Sequence, residues 1–291
     1  LRRQRQMCIR DRAVEDQSGF DVDISSDGSI VAIGAPRNDE NGTDSGHARV
    51  YNFNGTIWNQ LGNDIDGEAT HDFSGGSVAI SSDGLTLAAG ASDNAGNGDD
   101  SGHVRVYKFD GTDWKQFGND IDGQAEDDYF GTSVAISSDG LTVAVGATHN
   151  DNNGTNSGHV RVYIHSGVEG TDWTQIGNDI EGEAAYDYSG RVAMSSDGSI
   201  VAIGAHGNDD NGPASGHVKV YEFESDSKSS SLSTGAIVGI CVGAVILVSA
   251  VFAAVELCGQ SESDGPYNLC LLYTSDAADE GLGVDLGGRR I

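Results

Sequence analysis

Basic residues are scarce in this chain. Of its 291 residues, 16 are lysine or arginine and 45 are aspartate or glutamate, which gives a formal net charge of −29 at pH 7. A negative field of this size opposes binding to nucleic acid or to an anionic lipid surface, and it favours solubility and attracts cations. We therefore expect no nucleic-acid partner.

Cysteine is equally rare. The chain has four cysteines, and none of them lies between residues 13 and 232, so a disulfide framework is excluded there. The same region lacks a helical hydrophobic period, and it holds no Ser/His/Asp or Cys/His arrangement with the spacing that catalysis would demand. The sequence therefore predicts neither a helical repeat protein nor an enzyme.

Repetition is what the sequence has in abundance. The tetrapeptide SSDG begins at residues 25, 81, 137 and 195, and the tripeptide SGH begins at residues 45, 101, 157 and 215. Both markers give steps of 56, 56 and 58 residues, so they define one continuous register of four units. A fixed period of this order is typical of propellers and other repeat architectures.

Each unit predicts four short strands. In the second unit, residues 77–82 and 85–91 flank an Asp-Gly turn, which is typical of a β-hairpin. Residues 103–109 alternate strictly, and residues 113–118 follow after another turn. This pattern predicts a propeller blade, with the small residues of the second strand near the central axis. We expect an all-β protein of four β-propeller blades in an incomplete ring, whose last blade ends near Phe223 without a fourth strand.

Two stretches carry a family resemblance. Residues 128–140 read DYFGTSVAISSDG and residues 31–36 read VAIGAP. They resemble the two halves of an FG-GAP repeat, the blade motif of integrin α-subunit propellers and of many cell-surface proteins. The likeness covers residues 14–224, although the other units have Ser-Gly in place of Phe130-Gly131. The resemblance implies a propeller at a cell surface.

The two ends of the chain resemble a sequencing adapter. Residues 2–12 and residues 270–279 can be encoded by opposite strands of one DNA segment, which is not expected of a natural coding sequence. We therefore set aside residues 1–12 and 270–291 as adapter-like. The remainder is expected to be a fragment, with the propeller blades in residues 13–224.

One long apolar run follows the blades. After a polar linker at residues 225–234, residues 235–255 contain Ser249 as their only polar residue. The run is long enough to cross a bilayer as a helix, and a buried core helix is the alternative. We predict a transmembrane helix at 235–257, a short tail at 258–269 and the propeller outside the cell. Small residues that could pair two such helices as a dimer are Gly235, Gly239 and Gly243.

Three residue types recur at fixed places in the units. The histidines that open the third strands are too far apart around a ring to share a metal, so structural roles are expected for His47, His103, His159 and His217. The fourth-strand tryptophans are expected to pack between blades, and they are Trp58, Trp114 and Trp173. Asn-x-Thr sequons, which are either glycan sites or turn residues, occur at Asn41, Asn54 and Asn153.

The segments between blades are candidates for a calcium site. Residues 64–72, 120–128 and 179–187 each place oxygen-bearing side chains at positions 1, 3, 5 and 9, and a curled loop of this kind can supply several of the oxygens that Ca²⁺ needs. The candidate ligands are Asp64, Asp66, Glu68, Asp72, Asp120, Asp122, Gln124, Asp128, Asp179, Glu181, Glu183 and Asp187. The alternative is that the position-9 aspartates hold the turn before the next blade while the other residues are solvated.

The predicted function is that of a cell-surface binding or adhesion module. It would be a non-catalytic propeller on a membrane anchor, with an extracellular protein or glycan as its ligand. Two alternatives stay open. One is the accessory propeller of an enzyme whose catalytic domain lies upstream, and the other is an acidic coat protein that binds cations or polysaccharide.

Overall fold

The chain folds into antiparallel β-sheets. The computed structural model describes residues 9, 14–223 and 270–271, and every regular element in this part of the chain is a β-strand. The strands form four sheets in sequence order, one for each repeat unit. The prediction of an all-β protein with propeller-type blades is therefore confirmed. No helix of the described residues is long and apolar enough to span a bilayer, and the predicted helix at 235–257 lies outside them.

The first two sheets, blades 1 and 2, have five strands each. Blade 1 consists of β1 (Val22–Ile24), β2 (Ile30–Ala35), β3 (His47–Phe53), β4 (Trp58–Gln60) and β5 (Ile65–Asp66). Blade 2 consists of β6 (Ser77–Ile80), β7 (Thr86–Ala91), β8 (His103–Phe109), β9 (Trp114–Gln116) and β10 (Ile121–Asp122). In both blades the last two strands pair with opposite ends of the third strand.

Blades 3 and 4 have four strands each. Blade 3 consists of β11 (Phe130–Ile136), β12 (Thr142–Ala147), β13 (His159–Ile164) and β14 (Thr174–Glu181). Blade 4 consists of β15 (Ser189–Met194), β16 (Ile200–Ala205), β17 (His217–Glu222) and β18 (Cys270–Leu271). The strand β14 joins into one element the two short pieces that are separate in blades 1 and 2. The segments predicted to be linkers between blades thus begin inside the fourth strand.

Two details of the sequence prediction are wrong. Blade 4 does have a fourth strand, because β18 pairs with the outer edge of β17, where Tyr221 lies opposite Leu271. Such an edge offers backbone groups that need partners, and two residues suffice to pair with part of it. The strands nearest the axis are the first strands of the blades, which line a common cavity of about 480 Å³.

The SSDG tetrapeptide builds the hairpin between the first and second strands. In blade 2, the buried Ser81 hydroxyl donates to Asp83 Oδ1 over 2.6 Å and accepts from the Thr86 amide over 2.9 Å. Asp83 Oδ1 also accepts from the Leu85 amide over 2.9 Å. Gly84 has a φ of 73°, a left-handed conformation that glycine adopts without steric cost. Every residue of the motif except the second serine therefore stabilises the hairpin turn of its own blade.

The second serine of SSDG connects neighbouring blades. The Ser82 hydroxyl donates to Ser138 Oγ over 2.7 Å, and the Ser82 amide donates to the Ser138 carbonyl over 3.1 Å. Ser26 bonds to Ser82 in the same two ways, and the Ser138 amide donates to the carbonyl of Ser196 over 2.8 Å. This serine ladder, formed by Ser26, Ser82, Ser138 and Ser196, fixes the register of one blade on the next.

Glycines allow the blades to approach each other closely. A Cβ atom on Gly34 would lie 2.0 Å from the carbonyl oxygen of Gly75 in the next blade, and a Cβ atom on Gly146 would lie 1.8 Å from that of Gly190. The first glycine of each pair lies in a second strand, and the second belongs to the Phe-Gly or Ser-Gly pair. The two halves of the repeat motif therefore meet at the junction between blades.

The hydrophobic core lies between blades. Three clusters of buried side chains each combine residues of two consecutive blades. At the first junction, Val50 and Ile65 of blade 1 pack with Ile80 and Leu87 of blade 2. The second strands consist mainly of small residues because both of their faces are covered. The strands β7 and β12 are buried along their whole length.

The tryptophans of blades 2 and 3 confirm the expected packing between blades. Trp114 Nε1 donates to the carbonyl of Leu61 over 2.7 Å, and Trp173 Nε1 donates to that of Phe117 over 2.8 Å. Each acceptor belongs to the preceding blade. Trp58, in blade 1, contacts Phe53 of its own blade, with ring centroids 5.2 Å apart.

Candidate functional site

One end of the blades carries a continuous polar surface, which we call the rim. It consists of the loops between second and third strands and the segments that lead from one blade to the next. In blade 1 the side-chain amide of Asn41, in the loop, donates to the carbonyl of Gly67, in the following segment, over 2.7 Å. The ranges that form the rim are 36–46, 92–102, 148–158 and 206–216 for the loops, and 64–72, 120–128 and 179–187 for the segments.

The rim loops are held by buried polar side chains. Asn38 is buried, and its Oδ1 accepts a hydrogen bond from the Glu40 amide over 2.9 Å. The buried Ser45 hydroxyl donates to the carbonyl of Asn38 over 3.2 Å. The same two bonds recur in the other loops, at Asn94 and Ser101, Asn150 and Ser157, and Asn208 and Ser215. Because backbone groups are paired internally, the loops present their remaining polar side chains in fixed positions.

Two of the three sequon asparagines belong to this framework. The Nδ2 groups of Asn41 and Asn153 donate to the carbonyls of Gly67 and Gly182, each over 2.7 Å. Asn54 differs, because it lies on the exposed turn between β3 and β4 and uses its Oδ1 to accept from Thr56 and Ile57 amides. Of the three glycosylation predictions, the one at Asn54 leaves the blade framework unchanged.

Position 1 of each candidate calcium segment forms an ion pair inside its own blade. Arg105 donates to both carboxylate oxygens of Asp120, over 2.9 and 2.8 Å. Arg161 binds Asp179 in the same bidentate way over 2.9 and 2.6 Å, and Arg49 pairs with Asp64. Burial alone would raise the pKa of these aspartates, but the hydrogen bonds from arginine and glutamine outweigh it and lower the pKa of each.

Position 3 lies opposite the histidine that opens the third strand. Asp66 pairs with His47, Asp122 with His103, and Glu181 with His159 across the β-ladder. Burial and the neighbouring position-1 aspartate raise the pKa of all three carboxyls. These carboxylates therefore disfavour their charged form in the folded chain.

The histidines that open the third strands each lie among carboxylates. His159 is fully buried, and burial together with Arg161 lowers its pKa to about 4. Among the described residues, neither ring nitrogen of His159 has a hydrogen-bond partner, and the same holds for Glu181 Oε2. The imidazole is therefore neutral at pH 7.

Positions 5 and 9 serve different neighbours. Glu68 forms an ion pair with Arg105 of the next blade, and Glu183 contacts Lys219 of the next blade over 2.6 Å. Gln124 is exposed at the equivalent place. The position-9 aspartates are buried and accept from backbone amides three residues earlier, so they hold the turn before the next blade. These residues are Asp72, Asp128 and Asp187.

The structure thus divides each predicted calcium set. Ligand atoms lie within 4.8 Å of one another in four groups: Glu40, His47, Asp64 and Asp66; Glu68, His103 and Asp120; His159, Asp179 and Glu181; and Glu183, Asp210 and His217. Positions 1 and 3 meet in two of these groups, position 5 joins the next blade, and position 9 belongs to none of them. Calcium binding at these segments stays a prediction. The ladder pairing of histidine with position 3 was the signal that sequence analysis missed.

Breaking the Arg161–Asp179 pair should destabilise the fold. Arg161 is 2 % exposed and Asp179 is 22 % exposed, so Arg161→Met leaves a largely buried carboxylate without its cation. We expect a loss of about 2–3 kcal/mol in the free energy of unfolding at pH 7, measured by urea denaturation. Because the pKa of Asp179 is lowered in the folded state, its stabilisation is lost as the pH falls through that pKa, and the defect should shrink in acid.

Two further variants control this experiment. The double substitution Arg161→Met/Asp179→Asn should recover most of the loss, because it removes the unpaired charge. Arg191→Met alters an exposed arginine, and it should leave stability nearly unchanged. Equal effects of Arg161→Met and Arg191→Met would show that the pair does not stabilise blade 3.

Neutralising Glu181 should stabilise the fold, in contrast to the destabilisation expected of Arg161→Met. Its raised pKa means that its contribution to stability is present at low pH and is lost as the pH rises through the folded pKa. Glu181→Gln should therefore raise the free energy of unfolding at pH 7, and the gain should shrink near pH 4. Thermal melting at both pH values measures this, with Glu222→Gln on the exposed face of β17 as the control. A stabilisation that is the same at both pH values would contradict the explanation.

Comparison with solved structures gives low similarity. A putative 6-phosphogluconolactonase from Bacteroides uniformis matches with a TM-score of 0.47 and 11 % identity over 70 % of this chain and 50 % of that chain. The β-propeller domain of the Trilobed protease from Pyrococcus furiosus matches with a TM-score of 0.39 and 13 % identity over 70 % and 55 %. The chain thus spans about half the length of these structures. No curated protein matches it.

A family model identifies the repeats directly. The FG-GAP repeat model matches residues 3–51 and 110–163. The first match overlaps part of the segment 1–12 that resembles an adapter, and it ends in β3. The second match runs from the end of β8 to β13 and includes Phe130-Gly131. Together with four blades that repeat the same strand order and the same inter-blade contacts, these matches show that the chain is an FG-GAP repeat protein with β-propeller blades.

Proposed function

We propose that this protein is a non-catalytic binding or adhesion module, displayed at the cell surface by a membrane helix at residues 235–257. The observation that carries the binding proposal is the rim. It repeats an internally bonded loop in all four blades, and each loop exposes carboxylate and amide side chains around a rigid framework. Loops on such a scaffold are where binding sites most often lie.

The charge of the rim indicates the chemistry of the ligand. The exposed side chains of the first loop include Asp39, Glu40 and Asn41, and the third loop exposes Asp151, Asn152 and Asn153. Such groups attract cations and hydrogen-bond to the hydroxyl groups of saccharides. The proposed ligand is therefore an extracellular protein with a basic surface or a glycan. Repetition of the loops would let several weak contacts act together.

Calcium is the proposed cofactor of the rim. A calorimetric titration of the full chain with CaCl₂, at moderate salt, should give saturable heat. The triple variant Asp66→Asn/Asp122→Asn/Glu181→Gln should reduce that heat, because it removes a carboxylate from two of the four ligand groups without breaking the arginine pairs. The matched control, Asp83→Asn/Asp139→Asn/Asp197→Asn, makes three changes at the opposite end of the blades and should retain it. If neither the native chain nor the control gives saturable heat, the proposal of calcium binding is rejected.

Cell-surface display is tested separately. The full chain with an amino-terminal tag, expressed in eukaryotic cells, should be labelled by antibody on intact cells and should remain in membranes after a carbonate wash. Ile246→Arg/Val248→Arg places two charges in the centre of the predicted helix and should release the chain, because each charge opposes insertion. Equal membrane retention of both chains would reject the anchor. If the native chain shows a glycan-dependent shift in gel mobility and the Asn54→Gln chain does not, the sequon at Asn54 is occupied.

A further inference from the structure

The buried histidine of blade 3 has two ring nitrogens that nothing around them satisfies. His159 opens β13 and is 0 % exposed. In the part of the chain that the structure describes, neither its Nδ1 nor its Nε2 forms a hydrogen bond. Buried polar groups are nearly always paired, and an exception of this kind calls for a water molecule or an ion as the partner. The neighbouring side chains indicate which of the two is needed.

Two carboxylates lie beside this imidazole. Ligand atoms of His159, Asp179 and Glu181 lie within 4.8 Å of one another. Glu181 Oε2 is buried and has no hydrogen-bond partner among the described residues, while Oε1 accepts from Asn152 Nδ2 over 3.3 Å. A water molecule could bond to the imidazole, but only a cation also offsets the charge of a half-buried carboxylate that lies next to another one.

Asp179 keeps one lone pair for a further bond. Its Oδ1 accepts from Arg161 Nε over 2.9 Å and from Gln175 Nε2 over 2.7 Å, and its Oδ2 accepts from Arg161 Nη2 over 2.6 Å. A carboxylate oxygen has two lone pairs, so Oδ2 has one that these bonds do not use. The same bonds fix the carboxylate in place, as outer hydrogen bonds do for metal ligands. The Asp179 side chain is 22 % exposed, which gives an ion a path from solvent.

Blade 2 is built differently at the equivalent place. The residue opposite His103 is Asp122, and its carboxylate does not belong to the ligand group of that histidine. Glu68 of the preceding segment joins the group instead, and it pairs with Arg105. Glu181 has one methylene group more than Asp122 and does reach its histidine. In blade 3 both carboxylates of the group therefore come from β14, where residues two apart lie on the same face of a strand.

We propose that His159, Asp179 and Glu181 bind one divalent transition-metal ion of the zinc class, which joins the start of β13 to the end of β14. Zinc takes imidazole nitrogen and carboxylate oxygen at about 2.0–2.2 Å, with ligand atoms roughly 3.4 Å apart in a tetrahedral site. The three side chains therefore need to close by a small movement, and a fourth position is left for water. Calcium takes oxygen ligands only, so this inference does not depend on the calcium proposal.

Arg161 is the main opposing charge. It is bonded to Asp179, and its guanidinium repels a cation that binds the same carboxylate. Glu181 offsets this repulsion, because with Glu181 ionised the group has one more negative charge than positive charge before the metal enters. Imidazole adds no charge when it is neutral, and the net charge of −29 on the whole chain favours cation entry.

Titration of the full chain with ZnCl₂ tests the site. The four cysteines are replaced by serine in every chain, because thiolates bind zinc themselves, and bound metal is removed with EDTA. At pH 7, calorimetry should give saturable heat for one ion per chain. The melting temperature should rise by several degrees when free zinc is about 100-fold above its dissociation constant.

Three variants assign this heat to the proposed ligands. His159→Leu should abolish it, and it should leave the chain folded because the ring nitrogens make no hydrogen bonds. Glu181→Gln keeps the size of the side chain but removes its charge, and it should weaken zinc binding by about tenfold or more. His103→Leu is the matched control, since it replaces a histidine at the same strand position in blade 2, and it should retain the affinity. Circular dichroism checks that each chain is folded.

The zinc and calcium proposals fail in different ways. His159→Leu keeps every candidate calcium carboxylate, so saturable heat from CaCl₂ should be the same as in the parent chain. Absence of calcium heat with zinc binding intact would reject calcium alone. The zinc site is overturned if the parent chain gives no saturable heat with ZnCl₂, if CaCl₂ displaces zinc at a comparable concentration, or if His103→Leu weakens zinc binding as much as His159→Leu. If His159→Leu does not fold, Glu181→Gln decides, and an unchanged zinc affinity in that variant overturns the proposal.

Discussion

Replacing Gly146 with alanine should open the junction between blades 3 and 4. The added Cβ atom would lie 1.8 Å from the carbonyl oxygen of Gly190. Because the obstacle is backbone, neither blade can yield without separating from the other. We expect a loss of roughly 3 kcal/mol or more in the free energy of unfolding, at the upper end of what overpacking costs. Hydrogen exchange of the full chain should show faster exchange in β12, β15 and β16.

Gly204 provides a matched control for this substitution. It occupies the same position in blade 4, where no following blade is packed in the described part of the chain. A Cβ atom there would meet its nearest neighbour, Arg191 Cβ, at 3.5 Å, which is ordinary van der Waals contact. We expect Gly204→Ala to change stability by less than about 0.5 kcal/mol. Similar losses in Gly146→Ala and Gly204→Ala would mean that the contact between blades is not the reason for glycine.

The repeat motif follows from this contact. The glycine of the second strand and the glycine of the Phe-Gly or Ser-Gly pair are more than 40 residues apart in sequence, yet their backbones touch across each junction, as at Gly34 and Gly75. A side chain on either glycine would hold the blades apart and expose the core between them. Phe130 can be replaced by serine in the other units because the constraint falls on its neighbour, Gly131.

Sequence analysis predicted the blades because their signals are local. Alternation in residues 103–109 and the Asp-Gly turn after Ser82 depend on neighbours in the same hairpin, so the period and the strand order were readable. The sequence did not predict which strand of each blade lies nearest the axis. The small residues in β7 predict crowding at the axis, whereas in the structure they reflect burial on both faces between blades. Crowding at the axis and burial between two blades both select small residues, so the composition of a strand does not distinguish them.

In the rim, too, the local features could be predicted from the sequence and the contacts between strands could not. Position 9 of each inter-blade segment has a turn-holding role that the sequence offered as an alternative, and Asp187 accepts from Ala184 accordingly. The arginine partners could not be predicted, because Arg161 and Asp179 are 18 residues apart and meet only through the ladder between β13 and β14. Spacing along the chain placed the carboxylates in one loop. Strand pairing distributes them between two blades.

The largest side chain at a junction should show how much of the stability lies between blades. Trp114 is 7 % exposed and donates to the carbonyl of Leu61 in blade 1. Trp114→Ala removes both the buried ring and this hydrogen bond, and we expect a loss of about 3–5 kcal/mol in the free energy of unfolding. Trp114→Phe keeps most of the ring but leaves the carbonyl without its donor, so its loss should be about 1–2 kcal/mol. Urea denaturation followed by circular dichroism measures all three chains.

Trp58 separates burial at a junction from the effect of losing a tryptophan. It occupies the same strand position in blade 1, but it is only partly buried and packs against Phe53 of its own blade. Trp58→Ala should therefore cost about 1 kcal/mol or less, because little apolar surface is returned to water. If Trp58→Ala and Trp114→Ala lowered the urea midpoint equally, the stabilisation would come from within each blade. A much larger effect at Trp114 means that each blade depends on its neighbour.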